Sequence, residues 1–166
     1  MSNCCLASAD DSANVEYKVK AGYLYNFTKF VTWPVDNNPT FNICILGENP
    51  FGHLIDPIEE KTAFDRPIKL HKLKTFSTNY HCHILYVPSS IQSNIDLSNA
   101  LVIHEENSIL SVGEHPSFID QGGMICFVNR DGKIKLQINI NKLKQSELKI
   151  SAKLLEVAEL IGGDND

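Results

Sequence analysis

No stretch of this 166-residue sequence approaches the run of about 18 apolar residues that a membrane-crossing helix needs, so the chain is not expected to span a bilayer. Its basic residues do not cluster either. Fifteen Lys and Arg against 20 Asp and Glu leave a net charge of −5, and Lys69, Lys72 and Lys74 alternate with apolar positions as on a solvated strand face, which argues against a nucleic-acid groove. Catalytic signatures are missing as well. The turn Gly47-Glu48-Asn49-Pro50-Phe51-Gly52 has neither the Lys-Ser/Thr of a P-loop nor a G-x-G-x-x-G pattern, and Pro50 removes an amide that would otherwise hold an anion. There is no G-x-S-x-G elbow, no H-E-x-x-H pair and no carboxylate dyad, since Glu59-Glu60 and Glu105-Glu106 read as solvated charges. His81-Cys82-His83 offers zinc-type donors. On an extended segment, however, the two imidazoles point one way and the thiol the other, and no second donor pair stands elsewhere. No enzyme, cofactor or metal is expected, and no repeats or low-complexity tracts occur.

What the chain has is a dense aromatic segment. It carries one Trp, five Tyr and eight Phe, of which Tyr23, Tyr25, Phe27, Phe30 and Trp33 fall within Lys20–Pro34. At helical spacing Val19, Tyr23, Leu24, Phe27, Phe30 and Val31 share an apolar arc, as in a helix docked on a core. Pro34 cannot continue that helix and moves Trp33 out of the α region, delivering an indole to the surface or to the rim of a pocket. Tyr25, Lys29 and Trp33 are therefore the candidate contacts for a ligand or partner.

Length suits one domain with a substantial core. Asp11, Ser12 and Asn14 offer caps for a first helix over about Val15–Thr32. Phe41–Gly47 and His83–Pro88 are short runs apolar on both faces, the pattern of central strands. Between them Asn49-Pro50 opens a helix that Pro57 kinks or ends, and Pro67–Leu73 forms a more exposed strand. A helix from Ser89 or Ser90 to about Leu101, a strand over Ser108–Gly113 and a short helix over His115–Gln121 follow. Met124–Asn129 and Lys133–Asn139 flank Asp131-Gly132, an antiparallel hairpin turn. Ser151 caps a last helix with Ala152, Leu154, Leu155, Val157, Ala158 and Ile161 as its stripe, stopped by Gly162-Gly163. The alternation predicts an α/β layered sandwich. Its central sheet is mostly parallel with about six strands, an antiparallel hairpin lies near the C-terminus, and helices cover both faces.

Cys44 lies within the first central strand and Cys82 just ahead of another. If those strands are neighbours in a 2-1-3 order, a disulfide and two buried free thiols are equally compatible with the spacing. At the other end, Ala7-Ser8-Ala9 has the small-x-small pattern of a signal-peptidase site, although the preceding charged and apolar regions are missing. Residues 1–9 read as the remnant of a signal peptide or as a disordered start, with a domain over 10–166. Cys4 follows Ser2-Asn3, a poor lipobox.

Eight segments in order, KAGYLYNFTKFVTWP (20–34), ICILGENPFG (43–52), Arg66-Pro67-Ile68, CHILYVPS (82–89), ILSVG (109–113), GGMICF (122–127), Ile138-Asn139 and SAKLLEVA (151–158), resemble the YfiR/HmsC-like periplasmic proteins from about Val15 to Leu160. The resemblance implies an exported, non-enzymatic protein that represses an inner-membrane diguanylate cyclase by binding its periplasmic domain. Cyclic-di-GMP synthesis and biofilm output would fall as a result. It implies a homodimer, an outer-membrane lipoprotein as a further partner, and redox sensitivity, with Cys44 and Cys82 matching the family's recurrent cysteine pair. Some members carry a second disulfide near the GGM segment; Cys126 has no cysteine after it with which to form one.

Overall fold

The computed structural model describes residues 4–75, 81–91 and 108–163. It opens with helix α1, Cys4–Phe30, which starts well before Val15, so Asp11, Ser12 and Asn14 lie inside it rather than cap it. Leu24 and Phe27 are fully buried, with Tyr17, Tyr23 and Phe30 packed around them. Val19, expected in the core, is 41 % exposed, while Lys20 beside it is 4 % exposed. The lysine takes the inward place because two carboxylates meet it: its Nζ lies 2.9 Å from Glu114 Oε1 and 2.6 Å from Glu16 Oε2. A buried ammonium is tolerated only when paired in this way.

The helix ends at Phe30 because the chain is captured by a strand pairing. Strand β1 (Val31–Thr32) runs antiparallel to β9 (Lys149–Ile150), and the Ser151 N–H donates to the Phe30 carbonyl at 2.8 Å. The main sheet holds β2 (Phe41–Leu46), β3 (Thr62–Ala63), β4 (Arg66–Leu73), β5 (Ile84–Val87), β6 (Leu110–Gly113), β7 (Ile125–Arg130), β8 (Lys133–Asn139) and β10 (Glu159–Ile161). Its order is β10-β8-β7-β6-β5-β2-β4-β3. β4, β2, β5, β6 and β7 run parallel, β8 is antiparallel to β7, and β10 is parallel to β8. This is the layered α/β architecture with eight strands instead of about six, the short β3 and β10 having escaped the sequence reading.

β2, β5 and β6 are buried at every residue, as doubly covered apolar runs must be. Ile43, Ile45, Ile84 and Tyr86 join the cluster under α1. Cys44, Leu46, Leu85 and Val87 face the other way and pack with Phe118 and Cys126.

Four segments differ from expectation. The helix after Pro50 is a 3-10 helix, Gly52–Glu60, and Pro57 lies inside it. His115–Gln121 makes turns, not a helix: the Gly123 N–H returns to the Phe118 carbonyl at 2.9 Å, folding the segment over the Phe118 ring. A Cβ on Gly123 would stand 2.2 Å from that ring and one on Gly113 2.6 Å from it, so the two glycines make its seat. The last helix stops at Glu156, because β8 offers an open edge and Glu159–Ile161 pairs with it. Arg130 fixes that pairing with two bonds to Glu159, 2.8 and 2.9 Å; Val157, Leu160 and Ile161 are left exposed. A short helix, Ile140–Gln145, was not foreseen. Asn139 caps it by accepting the Lys142 N–H at 3.2 Å. The helix expected from Ser89 or Ser90 to about Leu101 lies largely outside the described residues.

Candidate functional site

The two cysteines singled out in the sequence are joined. Cys44 and Cys82 form a disulfide, their Cα atoms 5.8 Å apart, because β2 and β5 are neighbours in the register Ile43↔Ile84. Cys126 is a buried free thiol. Burial, and then the charge of Glu114, push its pKa up to about 12, so it is protonated and unreactive near neutrality.

Beside the disulfide, at the end of the sheet where β2 and β5 begin, Trp33 anchors a compact polar and aromatic cluster. The indole is not on the surface; it is 7 % exposed. Its Nε1–H donates to the His83 carbonyl at 2.8 Å, and its ring meets Phe41 and Phe64 edge-on with centroids 5.0 and 5.9 Å away. The β1–β9 pairing carries the chain past the sheet end and turns the indole inward. His83, also buried, stacks on Phe41 at 4.5 Å. Its Nδ1 accepts the Asn42 N–H at 3.0 Å, so Nε2 carries the proton and donates to Asp36 Oδ2 at 2.9 Å.

Asp36 is the hub. Its Oδ1 receives Arg66 Nη1 at 2.7 Å and the Asn38 N–H at 2.9 Å. Burial alone would raise its pKa, but the bonds from His83, Asn38 and Arg66 reverse that and hold the carboxyl far below its usual range.

Two clefts share the wall Trp33, Pro34, Val35 and Asp36. One, of about 240 Å³, continues over His81, Cys82, His83, Ser108 and Glu147; the other, of about 270 Å³, lies against Phe64 and Arg66. Val35 on the dividing loop is 99 % exposed. The indole thus sits behind a pocket rim, and the surface-exposed alternative does not hold.

The structure does not gather the other two candidates at this cluster. Tyr25 and Lys29 sit on α1, where Lys29 Nζ lies 4.8 Å from the Tyr25 ring and Lys61 Nζ, just past the 3-10 helix, lies 5.0 Å from it. A tyrosine between two ammonium groups is a cationic surface feature separate from the clefts. Sequence reasoning missed Asp36, Arg66 and His83 as a unit. Only the His-Cys-His triplet hinted at His83, and it pointed to metal chemistry. Among the described residues no three His, Cys, Asp or Glu side chains converge to hold a metal, and no helix is long and apolar enough to cross a membrane.

Over this architecture, the family model described as YfiR/HmsC-like matches residues 17–159, a span that includes the second half of α1, the disulfide, the Trp33 cluster and all but the end of the sheet. The chain belongs to the YfiR/HmsC-like family. That family is regulatory rather than catalytic, and its proteins are periplasmic. In this YfiR/HmsC-like chain the match runs through both cysteines of the disulfide and through Trp33. Among curated proteins none matches the chain significantly.

Proposed function

We propose that this protein is a periplasmic repressor of an inner-membrane diguanylate cyclase. It binds the cyclase's periplasmic domain, lowers cyclic-di-GMP and so restrains biofilm formation. The observation that carries this reading is the family match over residues 17–159. The proposal extends to a homodimer, to an outer-membrane lipoprotein as a second partner, to redox sensitivity through Cys44 and Cys82, and to an exported protein with a single domain over 10–166. Tyr25 and Lys29, now with Lys61, and the clefts at Trp33 are the proposed contacts. Deleting the protein from a cell that holds the partner cyclase raises cyclic-di-GMP on this reading; unchanged levels reject it.

A second reading, a periplasmic small-ligand sensor acting without a cyclase, is favoured by the two clefts that meet at Trp33. A thermal-shift screen of aromatic and anionic metabolites tests it, and the absence of any stabilising compound counts against it.

A further inference from the structure

His83 holds its place only as a neutral ring. The imidazole is 6 % exposed, and both nitrogens are engaged, Nδ1 as acceptor from the Asn42 N–H and Nε2 as donor to Asp36. Adding a proton turns Nδ1 into a donor aimed at another donor. The Asn42 N–H cannot turn away, because Asn42 is a residue of β2, paired on both sides through Asn42↔Lys69 and Ile43↔Ile84. The ring must therefore leave.

The surrounding groups decide where it goes. From the loop after β1 it faces Trp33 and Asp36; from β2, Phe41 and Asn42; from β4, the Arg66 guanidinium; from its own segment, His81. Phe41 closes one side with its ring at 4.5 Å. On another side lies the cleft of about 240 Å³ lined by His83 and Asp36 together, with the Glu147 carboxylate also on its wall. An imidazolium moving there keeps its carboxylate partner and meets a second one. Burial, followed by the charges of Arg66 and His81, opposes protonation, while Asp36 favours it; the balance holds the ring's pKa below its ordinary 6.5.

We propose that His83 is an acid-sensitive latch on the Trp33–Asn38 loop: one proton breaks its bond from the Asn42 N–H and swings the imidazolium, still paired with Asp36, into the adjoining cleft. Because Asp36 also bonds Arg66 and Asn38 and lines both clefts, the swing reshapes the two together. It leaves the sheet intact, since the strand pairings of β2 and β5 do not use the ring. The latch stands independently of any cyclase.

Trp33, the single tryptophan, reports on it, its ring centroid 6.4 Å from that of His83. In the intact protein titrated from pH 8 to about 4.5, Trp33 emission changes with a one-proton midpoint below the 6.5 of an unperturbed imidazole, while the far-UV signal stays constant. The change disappears in His83→Asn, and in Asp36→Asn its midpoint moves lower because the group favouring the charged ring is gone. Should those variants not fold, 15N-histidine spectra of the unaltered protein decide. The Nδ1 of His83 then passes from acceptor to protonated over the same interval, and the Asn42 N–H gains exchange with water. Emission that stays flat, a transition that survives in His83→Asn, a Asp36→Asn midpoint that does not fall, or a transition that coincides with loss of the far-UV signal would each overturn the proposal.

Discussion

Lys20 is a charge that the fold has taken out of water. It reaches Glu114, which sits just past the end of β6, and the same carboxylate accepts the Tyr86 hydroxyl, the Tyr17 hydroxyl at 3.1 Å and the Ser89 N–H at 2.9 Å. Burial raises the Glu114 pKa, but the bonds from Tyr86, Ser89 and Lys20 outweigh it and the net shift is downward; the Tyr86 phenol, buried against that carboxylate, is pushed upward and remains a donor. Because the folded pKa lies below the unfolded 4.5, the stability Glu114 contributes is present above that value and is lost as pH falls through the folded one. Glu114→Ala leaves the ammonium without its inner partner and lowers unfolding stability by about 3–5 kcal/mol in urea titration. Lys20→Met combined with Glu114→Gln costs less than the two single changes added together, since neither charge is then stranded. Helical periodicity could not reveal this arrangement. It puts Val19 in the core and gives no sign that Lys20 is buried, because the deciding partner lies 94 residues away in sequence.

At the level of elements, two hairpins show what local sequence can and cannot announce. β7 and β8 are joined by Asp131 and Gly132, with φ of 55° and 83°, the paired left-handed turn that Asp-Gly signals. β3 and β4 are joined in the same way by Phe64 and Asp65, with φ of 54° and 64°; Asp tolerates that region less well than Gly, and Phe is disfavoured there. Phe64 is held there by its ring, which packs on Trp33 and Phe41 at 5.9 and 5.8 Å. Asp65→Gly removes strain from the second turn position without touching those contacts, and raises unfolding stability by roughly 0.5–1 kcal/mol, read as a small upward shift in Tm. The central strands were legible because their apolar runs have one physical outcome. The C-terminal stripe was not: Ala152–Ile161 carries helical spacing, yet β8's open edge competes for the same residues and takes the last three. His115–Gln121 failed similarly, since the requirement to seat Phe118 between two glycines appears only after the sheet is built. At the Trp33 cluster, Trp-Pro marked the place, but its polar half is assembled from three separate stretches of chain.

For the molecule as a whole, the disulfide ties β2 to the start of β5 across a separation of 38 residues. Closing a loop of that length restricts the unfolded chain by about 4 kcal/mol on the chain-entropy estimate. Reduction therefore lowers the urea midpoint markedly, and alkylation under denaturing conditions without reductant modifies Cys126 while sparing Cys44 and Cys82; labelling of Cys44 would contradict the bridge. The pairing of β1 with β9 has a different reach. The residues that terminate the first helix have their partners at Lys149 and Ile150, so a chain delivered amino end first holds its opening segment idle until almost all of its length has arrived. Until Lys149 and Ile150 are in place, Val31 and Thr32 lack their strand partner, and the last 18 residues supply what fastens the end of the first helix.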